Sequence, residues 1–127
     1  FLKDSFTLGK TATSINQNFP KFIFNKMKKK YGNKLIKKKI GILGVAFKSD
    51  IDDVRDSLSI ELWKYLKRKK MKVYISDEFV KMKEVIKKNN LIKKSDIVII
   101  GAPHTVYKKL KIPKNKYLID SWGLFER

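Results

Sequence analysis

Hydrophobic positions along this chain alternate between a helical spacing and short unbroken runs. Ala12, Ile15, Phe19, Phe22, Ile23 and Met27 recur at three- and four-residue intervals, which predicts an amphipathic helix over residues 11–31. Pro20 lies inside that stretch and is expected to kink or restart the helix, and Gly32-Asn33 supplies its stop. Residues 39–44 then read as a short buried strand ending at a glycine. Ser57 suits an N-cap, and Leu58, Leu62 and Leu66 form a stripe on one helical face with Trp63 beside it. The lysine-rich end of that helix, residues 67–70, complements the negative pole of its dipole. Residues 71–76 form a second predicted strand, closing at Asp77. A lysine-rich helical stretch is expected over residues 78–88. Residues 96–100 are a nearly all-apolar third strand, and residues 117–120 a fourth, with a short helix or loop between them.

Strands that alternate with helices imply parallel pairing. The expected fold is therefore α/β: a Rossmann-like, doubly wound, mainly parallel sheet, preceded by a helix. With 127 residues, 43% of them hydrophobic and 12% aromatic, the chain can bury one real core. Its longest apolar run falls far short of the roughly 20 residues of a spanning helix, so no membrane partner is expected. No signal segment opens the chain, and a cytoplasmic location is expected. Phe1 stands first in place of methionine, as expected of a piece cut from something longer.

Charge changes the picture less than its size suggests. The formal net charge is +19, which invites a nucleic-acid partner. Yet only Arg55, Arg68 and Arg127 of the 31 basic residues are arginines, and bidentate reading of bases and phosphates favours arginine. The lysines are scattered in short clusters along the whole chain, the pattern of solvated faces, so nucleic acid is not the expected partner. There is no cysteine and one histidine, which excludes disulfides and a thiol nucleophile here and makes a metal site unexpected.

The candidate chemistry sits after the first strand, where ligands gather in doubly wound folds. Gly44 lets the chain turn tightly, and small Ala46 is expected to leave space for a ligand. The third glycine of a dinucleotide fingerprint is missing. Residues 47–57 then pack Lys48 and Arg55 among Asp50, Asp52, Asp53 and Asp56. Cations at a strand end can meet a phosphate or a hydroxyl-rich sugar, and the acids can hold them in place. A self-neutralising surface loop has the same composition.

The string GILGVAFKSDIDDVRDS resembles the signature of the UDP-glucose/GDP-mannose dehydrogenase family, in the first strand and loop of its C-terminal domain. Gly44, Ala46, Phe47, Lys48, Asp52, Asp53, Arg55 and Ser57 match it, while Ile51 replaces threonine and Leu58 stands where proline is usual. SDIVIIGAPHTVYKKLKI and YLIDSWGLF are similar to the third and last strands and their exits. TATSINQNFPKFI resembles the end of the central helix that joins the halves of such enzymes and forms their dimer.

The resemblance implies a division into residues 1–33, the end of the linking helix, and residues 34–127, a nucleotide-sugar-binding domain. Members oxidise the C6 alcohol of a nucleotide-activated sugar to a carboxylate with NAD, through a thiohemiacetal on a cysteine. By motif position, Phe47 and Lys48 contact the nucleotide sugar, and Arg55 reaches NAD held mainly by the other domain. Gly44, Ala46, Asp52, Asp53 and Ser57 shape the loop. No catalytic residue is expected in this chain, which then needs its N-terminal half for activity, in a homodimer that serves polysaccharide biosynthesis. Asp120-Ser121-Trp122 replaces the Asp-Gly-Arg common in UDP-glucose enzymes, which leaves room for an N-acetylated sugar. His104 reads as a structural cap on the turn after the third strand. Two other readings stay open: a basic nucleic-acid-binding protein on a Rossmann-like sheet, and a stand-alone nucleotide-binding module.

Overall fold

The computed structural model describes residues 12–125, with side chains from residue 18 onward. A first helix, α1 (Ala12–Tyr31), runs without interruption through Pro20, and Gly32 ends it at φ +57°. A 3-10 turn (Gly32–Lys37) leads into β1 (Lys39–Leu43). Helix α2 (Leu58–Arg68), β2 (Lys72–Ser76), α3 (Lys88–Lys94) and β3 (Ile97–Ile100) follow. A 3-10 turn (Thr105–Lys109) and β4 (Tyr117–Ile119) complete the chain.

All strand pairs are parallel, in the order β2-β1-β3-β4. Alternation of side chains sorts the apolar residues onto two faces. Ile40, Ile42, Ile97 and Ile99 face α1 and α2, in a core that includes Phe19, Ile23, Met27, Leu62 and Leu66. Leu43, Val98 and Ile100 face the other way, onto Leu91, Ile92 and Tyr107. Gly41 belongs to that second face, where an added Cβ would meet the side chains of Leu91 and Ser95. The sheet is thus covered on both sides, as a parallel sheet requires.

Two expectations change: the helix does not restart at Pro20, and the second change follows β2. The helix over residues 78–88 does not form, and the helix instead occupies Lys88–Lys94. Asp77 Oδ1 takes the amides of Phe79 and Val80 at 2.8 and 3.0 Å, as at a helix start, but the chain beyond runs extended along β2. Val85 then forms a parallel bridge with Ile75, and the Ile86 amide donates to the Ile75 carbonyl at 2.9 Å. The apolar face of α1 packs on α2 and the sheet. Phe19, Ile23 and Met27 are buried, and Phe24 meets Tyr65 of α2 edge-on at 6.0 Å. The side chains of Ala12 and Ile15 lie outside those described.

Candidate functional site

The strand order reverses between β1 and β3, so the crevice at their carboxyl ends is where a doubly wound sheet presents a ligand site. Two loops meet there. At Gly44 φ is +91°, and an added Cβ would lie 2.5 Å from the Ala102 carbonyl oxygen after β3. Glycine is needed both for the left-handed turn and for this close approach.

One carboxylate organises the exit from β1. The Val45 and Ala46 amides donate to Asp77 Oδ2, at the end of β2, at 2.7 and 3.1 Å. Burial pushes the Asp77 carboxyl up, but hydrogen bonds from His104 and from the amides of Phe79, Val45 and Val80 outweigh it, and the net direction is down. Ala46 is buried in the core, where its small side chain packs at the exit of β1.

Residues 47–56 project as a closed loop. The Phe47 amide donates to the Asp53 carbonyl at 2.6 Å and closes it. The Asp53 carboxylate accepts the Arg55 amide at 2.9 Å and its guanidinium through Nε and Nη2, the latter at 2.8 Å. The Arg55 hydrogen bonds pull the Asp53 carboxyl down to about 2. Arg55 is thereby oriented while its side chain stays 87% exposed. Asp52 is exposed and enters none of these bonds among the described residues. Ser57 caps α2 by accepting the Ile60 amide, and its Oγ donates to the Val45 carbonyl at 2.7 Å.

Phe47 and Lys48 stand at the rim, both exposed. Lys48 makes no ion pair among the described residues, so its ammonium is available to an anionic ligand. Phe79, Val106 and Trp122, also exposed, follow β2, β3 and β4, so each strand's carboxyl end carries an exposed apolar group. The Trp122 indole donates to the Gly101 carbonyl at 3.2 Å.

His104 does not cap its own turn. Its ring is fully buried, with Nε2 2.9 Å from Asp77 Oδ2, and Nδ1 accepts the Asp50 amide at 2.8 Å. The cap of that turn is Asp50, whose carboxylate takes the Thr105 amide at 2.9 Å and hydroxyl at 2.6 Å. The Thr105 bonds hold the Asp50 carboxyl below the ordinary value. Asp77 and Asp50 were not singled out as a pair by sequence reasoning. Their shared link, His104, lies 27 and 54 residues away from them.

Residues 41–127 match the model of the UDP-glucose/GDP-mannose dehydrogenase family, UDP binding domain. The chain belongs to that family. A UDP-N-acetyl-D-mannosamine dehydrogenase of Methanocaldococcus jannaschii is 28% identical over 93% of this chain and 30% of its own length. One from Campylobacter jejuni is 45% identical over 42% of this chain and 13% of its own. Among solved structures, UDP-D-ManNAc dehydrogenase of Pyrococcus horikoshii superposes with a TM-score of 0.75 at 21% identity, over 90% of this chain and 29% of that one. The UDP-binding domain thus spans under a third of the length of these relatives. Its Rossmann-like sheet is the fold they share, and its signature loop is the one that Asp77, His104 and Asp53 hold closed.

Proposed function

We propose that this UDP-binding domain is the nucleotide-sugar-holding part of an NAD-dependent nucleotide-sugar 6-dehydrogenase. Phe47 and Lys48 are the substrate contacts in this reading, and Arg55 faces the cofactor. The observation that carries it is the loop over residues 44–57. It presents an exposed aromatic ring and an unpaired ammonium at the strand-order switch, on a backbone tied at Val45, Ala46, Phe47 and Asp50. An aromatic ring suits stacking on a base or the apolar face of a sugar, and an ammonium suits a diphosphate. An exposed guanidinium braced by Asp53 fits a phosphate of NAD, which when bound accepts the hydride from the sugar's C6.

The chain contains no cysteine, so a thiol for the covalent step belongs to another part of the enzyme, and the domain by itself binds without oxidising. Trp122 in place of arginine and the N-acetylated sugars named for the relatives support a UDP-N-acetylhexosamine as substrate. In the full enzyme this domain works in a homodimer, in the cytoplasm, on a precursor of a polysaccharide.

Titrating UDP and UDP-sugars calorimetrically into the chain and its Lys48→Ala variant tests the site. One lost charge-assisted hydrogen bond predicts affinity lower by about ten- to a hundredfold. Equal heats from both proteins, or none from either, would sink the assignment. The nucleic-acid reading, drawn from the net charge of +19, predicts instead a steep salt dependence of binding to DNA and indifference to UDP.

A further inference from the structure

We propose that His104 is a positioning residue: in its neutral form it holds the Phe47–Lys48 loop in the geometry that receives a nucleotide sugar, and protonation of its ring releases that loop. The inference rests on Phe47 and Lys48 being the substrate contacts.

The geometry defines the ring's state. Nδ1 accepts the Asp50 amide at 2.8 Å, so the single ring proton of neutral His104 sits on Nε2 and is donated to Asp77 Oδ2 at 2.9 Å. That same oxygen accepts the Val45 and Ala46 amides. One imidazole and one carboxylate therefore fasten the chain on both sides of Phe47 and Lys48, at residues 45–46 and at residue 50. The second anchor is strained. Asp50 has φ +61°, a left-handed conformation that a side chain disfavours, and it is held there by the His104 bond and by its own bonds to Thr105.

A second proton on the ring undoes this arrangement. Nδ1–H would then face the Asp50 N–H, donor against donor, at the distance of a hydrogen bond. The Asp50 carboxylate already lies 3.9 Å from Nδ1. Protonation draws it onto the ring, away from the Thr105 amide and hydroxyl, and frees the Asp50 backbone from its left-handed turn. Asp77 approaches from the end of β2 and Asp50 from the loop. The Phe79 and Tyr107 rings lie 4.8 and 5.3 Å away, and Lys108, in the 3-10 turn, acts on Asp50 as a cation.

The test uses UDP as probe with the chain, His104→Gln and His104→Phe. Glutamine offers a donor and an acceptor on one amide but takes up no proton. Phenylalanine fills the ring's volume with neither. The affinity of the wild type, divided by that of His104→Gln, is expected to fall about tenfold as pH is lowered while the chain stays folded, the worth of one lost hydrogen bond. The protonation of UDP itself is common to both proteins and cancels in the ratio. His104→Phe is expected to bind weakly at every pH. Superimposable pH profiles for wild type and His104→Gln would overturn the proposal.

A second measurement does not depend on UDP. In ¹⁵N NMR spectra the Phe47, Lys48 and Asp50 amides are expected to move in step with the His104 ring nitrogens. A ring that titrates while those amides stay still, or one that never titrates while the chain is folded, also overturns it. No heat of UDP binding at any pH would remove the nucleotide-sugar reading, while the amide shifts still decide whether the loop follows His104.

Discussion

The Ser57 hydroxyl donates to the Val45 carbonyl at 2.7 Å while it accepts the Ile60 amide at 3.2 Å. One buried oxygen thus joins the exit of β1 to the first turn of α2, and the loop between them becomes a closed unit. Ser57→Ala loses the cap and leaves the Val45 carbonyl unpaired, at a cost of about 1–2 kcal/mol. A thermal midpoint lower by about 4–8 °C is the expected reading in circular dichroism. An unchanged midpoint would mean that the hydroxyl is replaced by water.

Asp77 carries a larger share. Its carboxylate accepts the amides of Val45, Ala46, Phe79 and Val80 as well as the His104 ring, and Asp77→Ala leaves these donors buried and unpaired. A loss of about 3–5 kcal/mol is expected at neutral pH. The folded carboxyl titrates below its ordinary value, so the unfolded chain takes up the proton first. The stability it contributes is complete above the unfolded value of about 3.9 and is lost as pH falls through the lower folded one. The difference between wild type and Asp77→Ala in urea unfolding should therefore narrow in strong acid. A constant difference across that range would contradict the assignment.

The Asp53–Arg55 pair is visible to direct titration. The Asp53 carboxyl, held by the Arg55 hydrogen bonds, is expected to titrate near the value of about 2 and to return toward the ordinary range in Arg55→Ala. Carboxyl ¹³C shifts followed against pH report this. Both side chains are solvent-accessible, so little change in overall stability accompanies it.

Gly44→Ala places a Cβ 2.5 Å from the Ala102 carbonyl oxygen at a φ of +91°. Strain of about 1–3 kcal/mol is expected, with the β1 and β3 exits pushed apart. UDP affinity should fall along with stability. A variant as stable as wild type would show that the turn relaxes freely.

Most of the sheet was legible because its strands are short, apolar and β-branched, as in residues 39–44 and 96–100. Helix α2 was legible from the Ser57 cap and its leucine stripe. Residues 78–88 misled because lysines spaced among apolar residues imitate an amphipathic helix. Nothing local reveals that Asp77 claims the Phe79 and Val80 amides or that Val85 bridges Ile75. Helix α3 was missed because its asparagines and lysines carry little pattern beyond the buried Leu91 and Ile92. In the site, the loop residues were readable by motif, but the Asp77–His104–Asp50 chain was not. Its partners are brought together by the parallel order of β1, β2 and β3, which no short-range periodicity encodes.

The extended path of residues 78–87 also bears on the open edge of the sheet. β2 is an edge strand, and an open edge is a template for pairing with another copy. Here Val85 and the Ile86 amide already occupy the outer side of Ile75. A helix over the same residues would have left that position free for another molecule. The opposite edge, β4, is only three residues long. The segment that replaces the expected helix thus covers part of the open edge of β2 at Ile75.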